Sequence, residues 1–153
     1  MKLPPLLAVS LISLISIPQE IEIGRQANSE VRKQMPELGD REVSSYVRDL
    51  GKSISAAAEG PKYPYSFTIA NDRELNAFAL PGGPIWVHRG ILQAATNESQ
   101  VAGVLAHEIA HVSQRHAADQ LTKSAVANLG LGLLSAMLGS GASAQTSRLA
   151  AGF

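Results

Sequence analysis

Ala106-His107-Glu108-Ile109-Ala110-His111 contains the pattern His-Glu-x-x-His. On an α-helix, residues four positions apart lie one turn apart on the same face, so the imidazoles of His107 and His111 can reach one ion. Zinc favours such nitrogen ligands. Glu108 lies about 100° round the helix from His107, where a carboxylate can take a proton from water at the metal. We therefore predict His107 and His111 as zinc ligands and Glu108 as the general base.

The residues on either side of this pattern favour one long helix. Apolar residues recur at intervals of three and four, as expected for a helix with one buried face, at Val101, Val104, Leu105, Ile109 and Val112. Asn97 is predicted as the N-cap, with Gln100 as its capping-box partner. We predict that the helix runs from Glu98 to Leu121. The alternative, surface or core histidines that match the pattern by chance, is less favoured because these flanking features accompany the motif.

Two further histidines are not expected to bind the metal. His116 lies five positions after His111, which on a continuous helix rotates it by about 140° from the metal face. We interpret it as a helix-end histidine that interacts with the C-terminal dipole. His88 lies in a predicted strand, and a lone histidine is more often structural than a ligand.

Composition excludes several classes of function. The chain has 153 residues, enough for one domain with a hydrophobic core, and 13 basic residues balance 13 acidic ones. No strong electrostatic field therefore draws it to nucleic acid. It has no cysteine, which excludes disulfides, thiolate zinc ligands and thiol catalysis.

The pattern along the chain predicts both helices and short strands. The predicted helices cover 19–35 and the segment from Asp40, its N-cap, to Gly60-Pro61, and a short helical turn covers 91–95. The predicted strands cover 65–70, 76–80 and 85–88. Residues 1–18 favour a signal or export segment over a buried N-terminal segment. The apolar tract 125–144 fits a mobile lid or a membrane-associated segment.

The third zinc ligand is missing from this pattern. Hydrolytic zinc sites use three protein ligands and a water. Asp119 is the only acid after His111, and eight residues of helix place it about 12 Å away. The longer metal motif has its third histidine where this chain has Ala117. We therefore expect the third ligand to lie beyond Phe153, and residues 19–153 to be part of a larger catalytic domain.

Four segments resemble the M48 family of zinc metallopeptidases, in particular its bacterial envelope branch, similar to periplasmic outer-membrane-protein assembly proteases. They are Val104-Leu-Ala-His-Glu-Ile-Ala-His-Val-Ser-Gln-Arg-His116, Asn76-Ala-Phe-Ala-Leu-Pro-Gly-Gly83, Arg89-Gly-Ile-Leu92 and Gln19-Glu-Ile-Glu-Ile-Gly-Arg-Gln26. The resemblance implies an α+β fold of gluzincin type (zincin-like), with a small antiparallel or mixed sheet and a helix that carries the motif. It also implies one Zn²⁺, held by His107, His111 and a glutamate on a later helix, and Glu108 as catalytic base. It also implies a zinc metalloendopeptidase.

The segment Asn76-Ala77-Phe78-Ala79 resembles the edge strand on which such enzymes bind substrate. An exposed strand edge offers unpaired backbone groups, so an extended peptide can add to it as another strand. The alternative, ordinary buried strand residues, suits Phe78 better than Asn76.

Several expectations about biology follow from the resemblance. The substrates are expected to be unfolded or misassembled envelope proteins in the bacterial periplasm, with peripheral membrane association open and no nucleic-acid partner. The alternatives are a chaperone-like assembly factor that binds unfolded outer-membrane clients with little or no cleavage, and an inactive fragment.

Overall fold

The computed structural model describes the backbone of residues 14–138 and the side chains of residues 14–128. The elements are α1 (Ile17–Gln34), α2 (Arg41–Ala56), β1 (Ser66–Ala70), β2 (Ala77–Ala79), β3 (Pro84–His88), α3 (Arg89–Ala94), α4 (Glu98–Ser113) and α5 (His116–Leu138). The predicted α+β class, with a small mixed sheet and a helix carrying the His-Glu-x-x-His pattern, is confirmed.

The three strands form one sheet in the order β1-β3-β2. The central strand, β3, pairs in parallel with β1 and antiparallel with β2. A strand between two others is covered on both edges, and Ile85, Trp86 and Val87 are accordingly fully buried. The short strand β2 is an edge of this sheet.

The core lies between the sheet and the two helices α2 and α4. Its buried apolar residues come from α2, from the segment 63–69, from β3 and from α4: Val47, Tyr63, Phe67, Ile69, Ile85, Val87, Val101, Leu105, Ile109 and Val112. The predicted apolar face of α4 is therefore the face that packs against the core. This packing fixes the rotation of α4 about its axis, so that His107 and His111 lie away from the core.

Side-chain caps begin the three long helices that precede α5. The predicted caps Asp40 and Asn97 are confirmed, each accepting hydrogen bonds from backbone N–H groups of its first turn. The capping box predicted at Asn97 forms only in part, because the Gln100 side chain accepts from the N–H of Thr96 instead of the cap residue. Ser16 and Gln19 form a reciprocal capping box at α1.

The first two helices differ slightly from their predicted bounds. Helix α1 begins at Ile17, two residues early, since Pro18 fits a first turn whose N–H groups have no helical partner. Helix α2 ends at Ala56, before the predicted stop at Gly60. Of the predicted signal segment, residues 1–13 lie outside the described residues.

Two glycines allow the turn between β2 and β3 to pack on α1. A Cβ on Gly24 would lie 1.6 Å from the carbonyl oxygen of Pro81, so only glycine permits this approach. Gly82 has φ +79°, a left-handed conformation that glycine adopts without cost. The Nε1–H of the buried Trp86 also donates to Asn28 Oδ1 at 2.8 Å, which joins α1 to the sheet.

The prediction of one continuous helix from Glu98 to Leu121 was wrong. Helix α4 ends at Ser113 and α5 begins at His116, and between them Arg115 has φ +58°. This conformation costs a non-glycine residue about 1–2 kcal/mol. It is held because the Arg115 guanidinium donates to the buried carboxylate of Glu20 at 3.0 Å and to the carbonyl oxygen of Ile15 at 2.5 Å.

Helix α5 covers the described part of the tract predicted as a lid or a membrane segment, and residues 139–144 of that tract lie outside the described residues. Among the helices described, none combines the length and the apolar character that crossing a bilayer requires.

Candidate metal centre

The two histidines of the motif face each other on α4. Their Nε2 atoms lie 3.0 Å apart and the ring planes cross at 86°. Two imidazole nitrogens bound to one tetrahedral zinc, each at 2.0–2.1 Å, lie about 3.3 Å apart. Separation of the rings by a few tenths of an ångström is enough to admit the ion, so His107 and His111 fit a zinc site.

Glu108 lies on the same helix but is mostly withdrawn from solvent, at 9% exposure. Burial raises the pKa of its carboxyl above the usual range, because the charged form loses hydration, while His111 and His107 act in the opposite direction. A carboxyl with a raised pKa is a better proton acceptor when ionised, which suits a general base.

His116 is next to the pair, contrary to its predicted orientation. Its Nδ1 lies 2.6 Å from Nδ1 of His111, so one of the two groups donates a hydrogen bond to the other. The rotation predicted for a continuous helix does not apply, because the helix is interrupted at Arg115. The interpretation as a histidine at a helix C-terminus is also wrong, since His116 is the first residue of α5.

A buried hydrogen-bonded network holds this turn. Glu20, at 1% exposure, accepts from Arg115 Nε at 3.0 Å and from the Tyr63 hydroxyl at 2.9 Å. Burial, together with the neighbouring carboxylate of Glu20, raises the pKa of Tyr63 to about 12, so the phenol remains a hydrogen-bond donor. Helix α1 therefore supplies the carboxylate that holds the chain at Arg115, next to the histidines.

Two cavities meet at Glu108 and Ala77, which line both of them. The larger, about 530 Å³, also has Phe78, Ala79 and His111 in its wall. The smaller, about 460 Å³, has Asn76 and His107 in its wall. Together they form a groove, here called the β2 groove, that runs along β2 and past both histidines. All four residues predicted to bind substrate line it.

Phe78 and Asn76 differ in surroundings. Phe78 is half-buried and stacks on Trp86, with ring centroids 6.3 Å apart and planes 5° from parallel. Asn76 is exposed, and its backbone carbonyl accepts from the N–H of His88 at 2.9 Å. The Asn76 side chain is therefore the one free to reach a ligand.

Within residues 14–128, His107 and His111 have no third histidine or carboxylate whose ligand atom is close enough to share one ion with both. His88 is buried at the end of β3 and lies with Asp72 and Glu74 instead. Sequence reasoning predicted the wrong orientation for His116 and missed Glu20 and Arg115. No glycine or proline near residue 114 signals the break that brings them together.

Comparison with known proteins identifies the relatives of this chain. The model of Peptidase family M48 matches residues 40–152. The beta-barrel assembly-enhancing protease of Escherichia coli (strain K12) is 38% identical over 114 residues, which cover 74% of this chain and 23% of that protein. A putative beta-barrel assembly-enhancing protease of Vibrio cholerae is also 38% identical, over 113 residues, with the same coverage.

A mitochondrial metalloendopeptidase OMA1, from Saccharomyces cerevisiae, is 42% identical over 138 residues, or 78% of this chain and 39% of that protein. The chain thus spans under a quarter of the length of these bacterial relatives.

Proposed function

The chain belongs to peptidase family M48, and we propose from that premise that residues 19–153 form part of the catalytic domain of a zinc metalloendopeptidase. The observation that carries the proposal is the pair of Nε2 atoms 3.0 Å apart beside the buried carboxylate of Glu108 and the β2 groove. Candidate groups for binding zinc, transferring the proton and aligning the substrate thus lie in one place.

His107 and His111 would hold the metal through Nε2. When bound, zinc polarises a peptide carbonyl and makes water a stronger acid. His116 orients the pair, because a hydrogen bond at Nδ1 fixes both the tautomer and the ring direction of His111. We propose that a carboxylate from outside the described residues supplies the third ligand, as the glutamate of the family does.

Glu108 is proposed as the base. Its carboxylate takes a proton from the attacking water, and the resulting acid returns that proton to the leaving amine nitrogen. The raised pKa of Glu108 supports both steps, because the group must hold a proton and then release it. Its position between the two cavities of the β2 groove puts it beside a peptide that crosses the groove.

Strand β2 is proposed as the substrate-binding strand. It is an edge of the sheet, so a peptide in extended conformation can add to it through backbone hydrogen bonds. Asn76 would bind the peptide backbone with its exposed side chain, while Ala77, Phe78 and Ala79 line the groove. The small side chains of Ala77 and Ala79 leave room for a substrate backbone.

The names of the bacterial relatives support substrates among proteins of the cell envelope. We propose unfolded or misassembled envelope proteins as substrates and the bacterial periplasm as the location. The open groove also supports a second candidate, a chaperone-like factor that holds unfolded outer-membrane clients with little or no cleavage. Zinc-dependent cleavage separates the two functions.

The test compares the full-length protein with Glu108→Gln, using unfolded casein as substrate and measuring zinc content in parallel. Glutamine keeps the size of glutamate but cannot accept the proton, so we expect zinc content to be unchanged and kcat/KM to fall by about 10²–10⁴-fold. Undiminished turnover in Glu108→Gln would exclude this base. Cleavage by neither protein, with zinc bound and unfolded casein retained, would favour the chaperone-like function.

A further inference from the structure

We propose a second metal site, formed by Asp72, Glu74 and His88 and separate from the histidine pair on α4. One ligand atom from each of these three residues lies within 4.8 Å of the other two. The ligand set, one imidazole and two carboxylates, is the mixture of nitrogen and oxygen donors that zinc and manganese accept. This site is called the β3-end site below.

The imidazole of His88 is the first observation behind this proposal. His88 is 2% exposed, and neither Nδ1 nor Nε2 has a hydrogen-bond partner among the described residues. A buried polar group without a partner destabilises the folded state, so such a group usually indicates a bound water or ion. Nδ1 lies 3.9 Å from Asp72 Oδ1, which is too long for a hydrogen bond.

The distance from His88 to Asp72 suits a shared metal ion. Two donor atoms that bind one tetrahedral zinc, each about 2.0–2.2 Å from it, lie about 3.3–3.6 Å apart, so Nδ1 of His88 and Oδ1 of Asp72, at 3.9 Å, need to approach by a few tenths of an ångström. Asp72 is only half-buried and Glu74 is exposed, so both carboxylates can move by the small amount needed to complete the geometry. The buried histidine is then the fixed ligand and the carboxylates are adjustable ones.

Charge is the second observation. The carboxylates of Asp72 and Glu74 converge on one place, and like charges at this separation repel each other. In the described part of the chain, neither carboxylate forms an ion pair with a lysine or an arginine, although Arg73 and Arg89 are neighbours in sequence. A divalent cation between the carboxylates removes the repulsion and gives His88 its missing partner.

Hydrogen bonds and close packing hold the backbone around the β3-end site. The carbonyl oxygen of Asp72 accepts from the N–H of Gly90 at 3.0 Å, and its side chain accepts from the N–H of Glu74 at 2.9 Å. A Cβ on Gly90 would lie 2.2 Å from the carbonyl oxygen of Arg73, so the loop 72–75 is packed directly on the start of α3.

A metal at this site would join the loop before β2 to the end of β3. Asn76, which follows the loop, accepts a hydrogen bond from the N–H of His88. Binding would therefore stabilise the segment that leads into strand β2, and we assign the site a structural role with Zn²⁺ as the ion. The assignment does not depend on the proposed peptidase function, because no residue is shared.

The test titrates Zn²⁺ into the His107→Ala/His111→Ala protein, which lacks the histidine pair of α4. We expect one zinc ion per chain and a higher unfolding temperature with zinc. Glu74→Gln on this background should weaken binding at least about ten-fold, because one of three ligands is lost. Glu74 is exposed, so this change spares the fold. Glu59→Gln, an exposed acid outside the cluster, is the matched control and should leave the affinity unchanged.

A second measurement titrates Zn²⁺ into the protein that keeps all its histidines. This protein gives a result even if the double variant does not fold. It should bind two zinc ions per chain, and the Glu74→Gln protein should bind one. The proposal is overturned if Glu74→Gln binds zinc as Glu59→Gln does, or if the double-histidine variant folds and binds none. In that case a buried water is the partner of His88.

Discussion

Both ring nitrogens of His111 have a neighbour, and that is the feature on which the metal centre depends at the scale of single residues. Nε2 faces His107 at 3.0 Å and Nδ1 lies 2.6 Å from His116. In the metal centre that we propose, His111 donates from Nδ1 to His116, which leaves the lone pair of Nε2 free for the metal.

Replacing His116 by alanine should therefore weaken zinc binding at the histidine pair by about 10–100-fold, the usual effect of losing an orienting partner. His116→Asn, whose side-chain oxygen can accept from Nδ1–H, should recover part of the affinity. The measurement is competition with a chelator of known affinity, on the Glu74→Gln background to remove the β3-end site. Ser124→Ala, an exposed change on α5, is the control.

Equal zinc affinity in His116→Ala and Ser124→Ala would contradict the orienting role. A loss in His116→Ala that His116→Asn does not recover would point to packing and not to the hydrogen bond. Unfolding midpoints of the three variants should be similar, because the side chain of His116 is exposed.

The pairing of His107 with His111 was the most predictable feature of the candidate site. Spacing alone brought His107 and His111 to one helix face, because four residues make close to one turn. The same rule gave the wrong orientation for His116, because a separation of five residues corresponds to a fixed rotation only while the helix continues. Glu20 was missed because a glutamate in a polar helix gives no sign that it will be buried.

At the scale of secondary structure, the break between α4 and α5 depends on a contact between distant parts of the chain. The Arg115 guanidinium bonds to Glu20, 95 positions away in sequence. No local pattern encodes such an interaction, so helical periodicity through 98–121 predicted a continuous helix. The strands were easier to predict, because alternation and the Pro-Gly-Gly turn are local signals.

Removing the carboxylate of Glu20 should destabilise the protein. In Glu20→Ala, Arg115 and the Tyr63 hydroxyl lose a buried partner, and we expect the free energy of unfolding to fall by about 3 kcal/mol. Glu22→Ala is the matched control on the same helix, since the ion pair of Glu22 with Arg25 is exposed and should contribute little to the free energy of unfolding. Urea unfolding of both variants measures the difference.

A loss in Glu20→Ala no larger than in Glu22→Ala would show that the network does not hold the turn at Arg115. The network account also predicts lower zinc affinity in Glu20→Ala, because a freed turn no longer keeps His116 beside His111.

At the scale of the whole molecule, the described domain consists of a small sheet, with α2 and α4 enclosing the core, and a groove between β2 and α4. The α+β class followed from the resemblance to the M48 family, and the positions of the helices and strands followed from local patterns. The strand order β1-β3-β2 was not predicted, because the parallel pairing of β1 with β3 joins strands that are separated in sequence and no local pattern indicates it. The division into a signal segment and a partial catalytic domain stays a prediction.

The most direct test of the central claim observes the metal ligands themselves. The chain has four histidines, so long-range ¹H–¹⁵N spectra can follow every ring during a titration with Zn²⁺. On the Glu74→Gln background, one equivalent of zinc should shift Nε2 of His107 and of His111 to the metal-bound range while Nδ1 of His111 keeps its proton. An unshifted Nε2 on either ring at saturation would contradict the account.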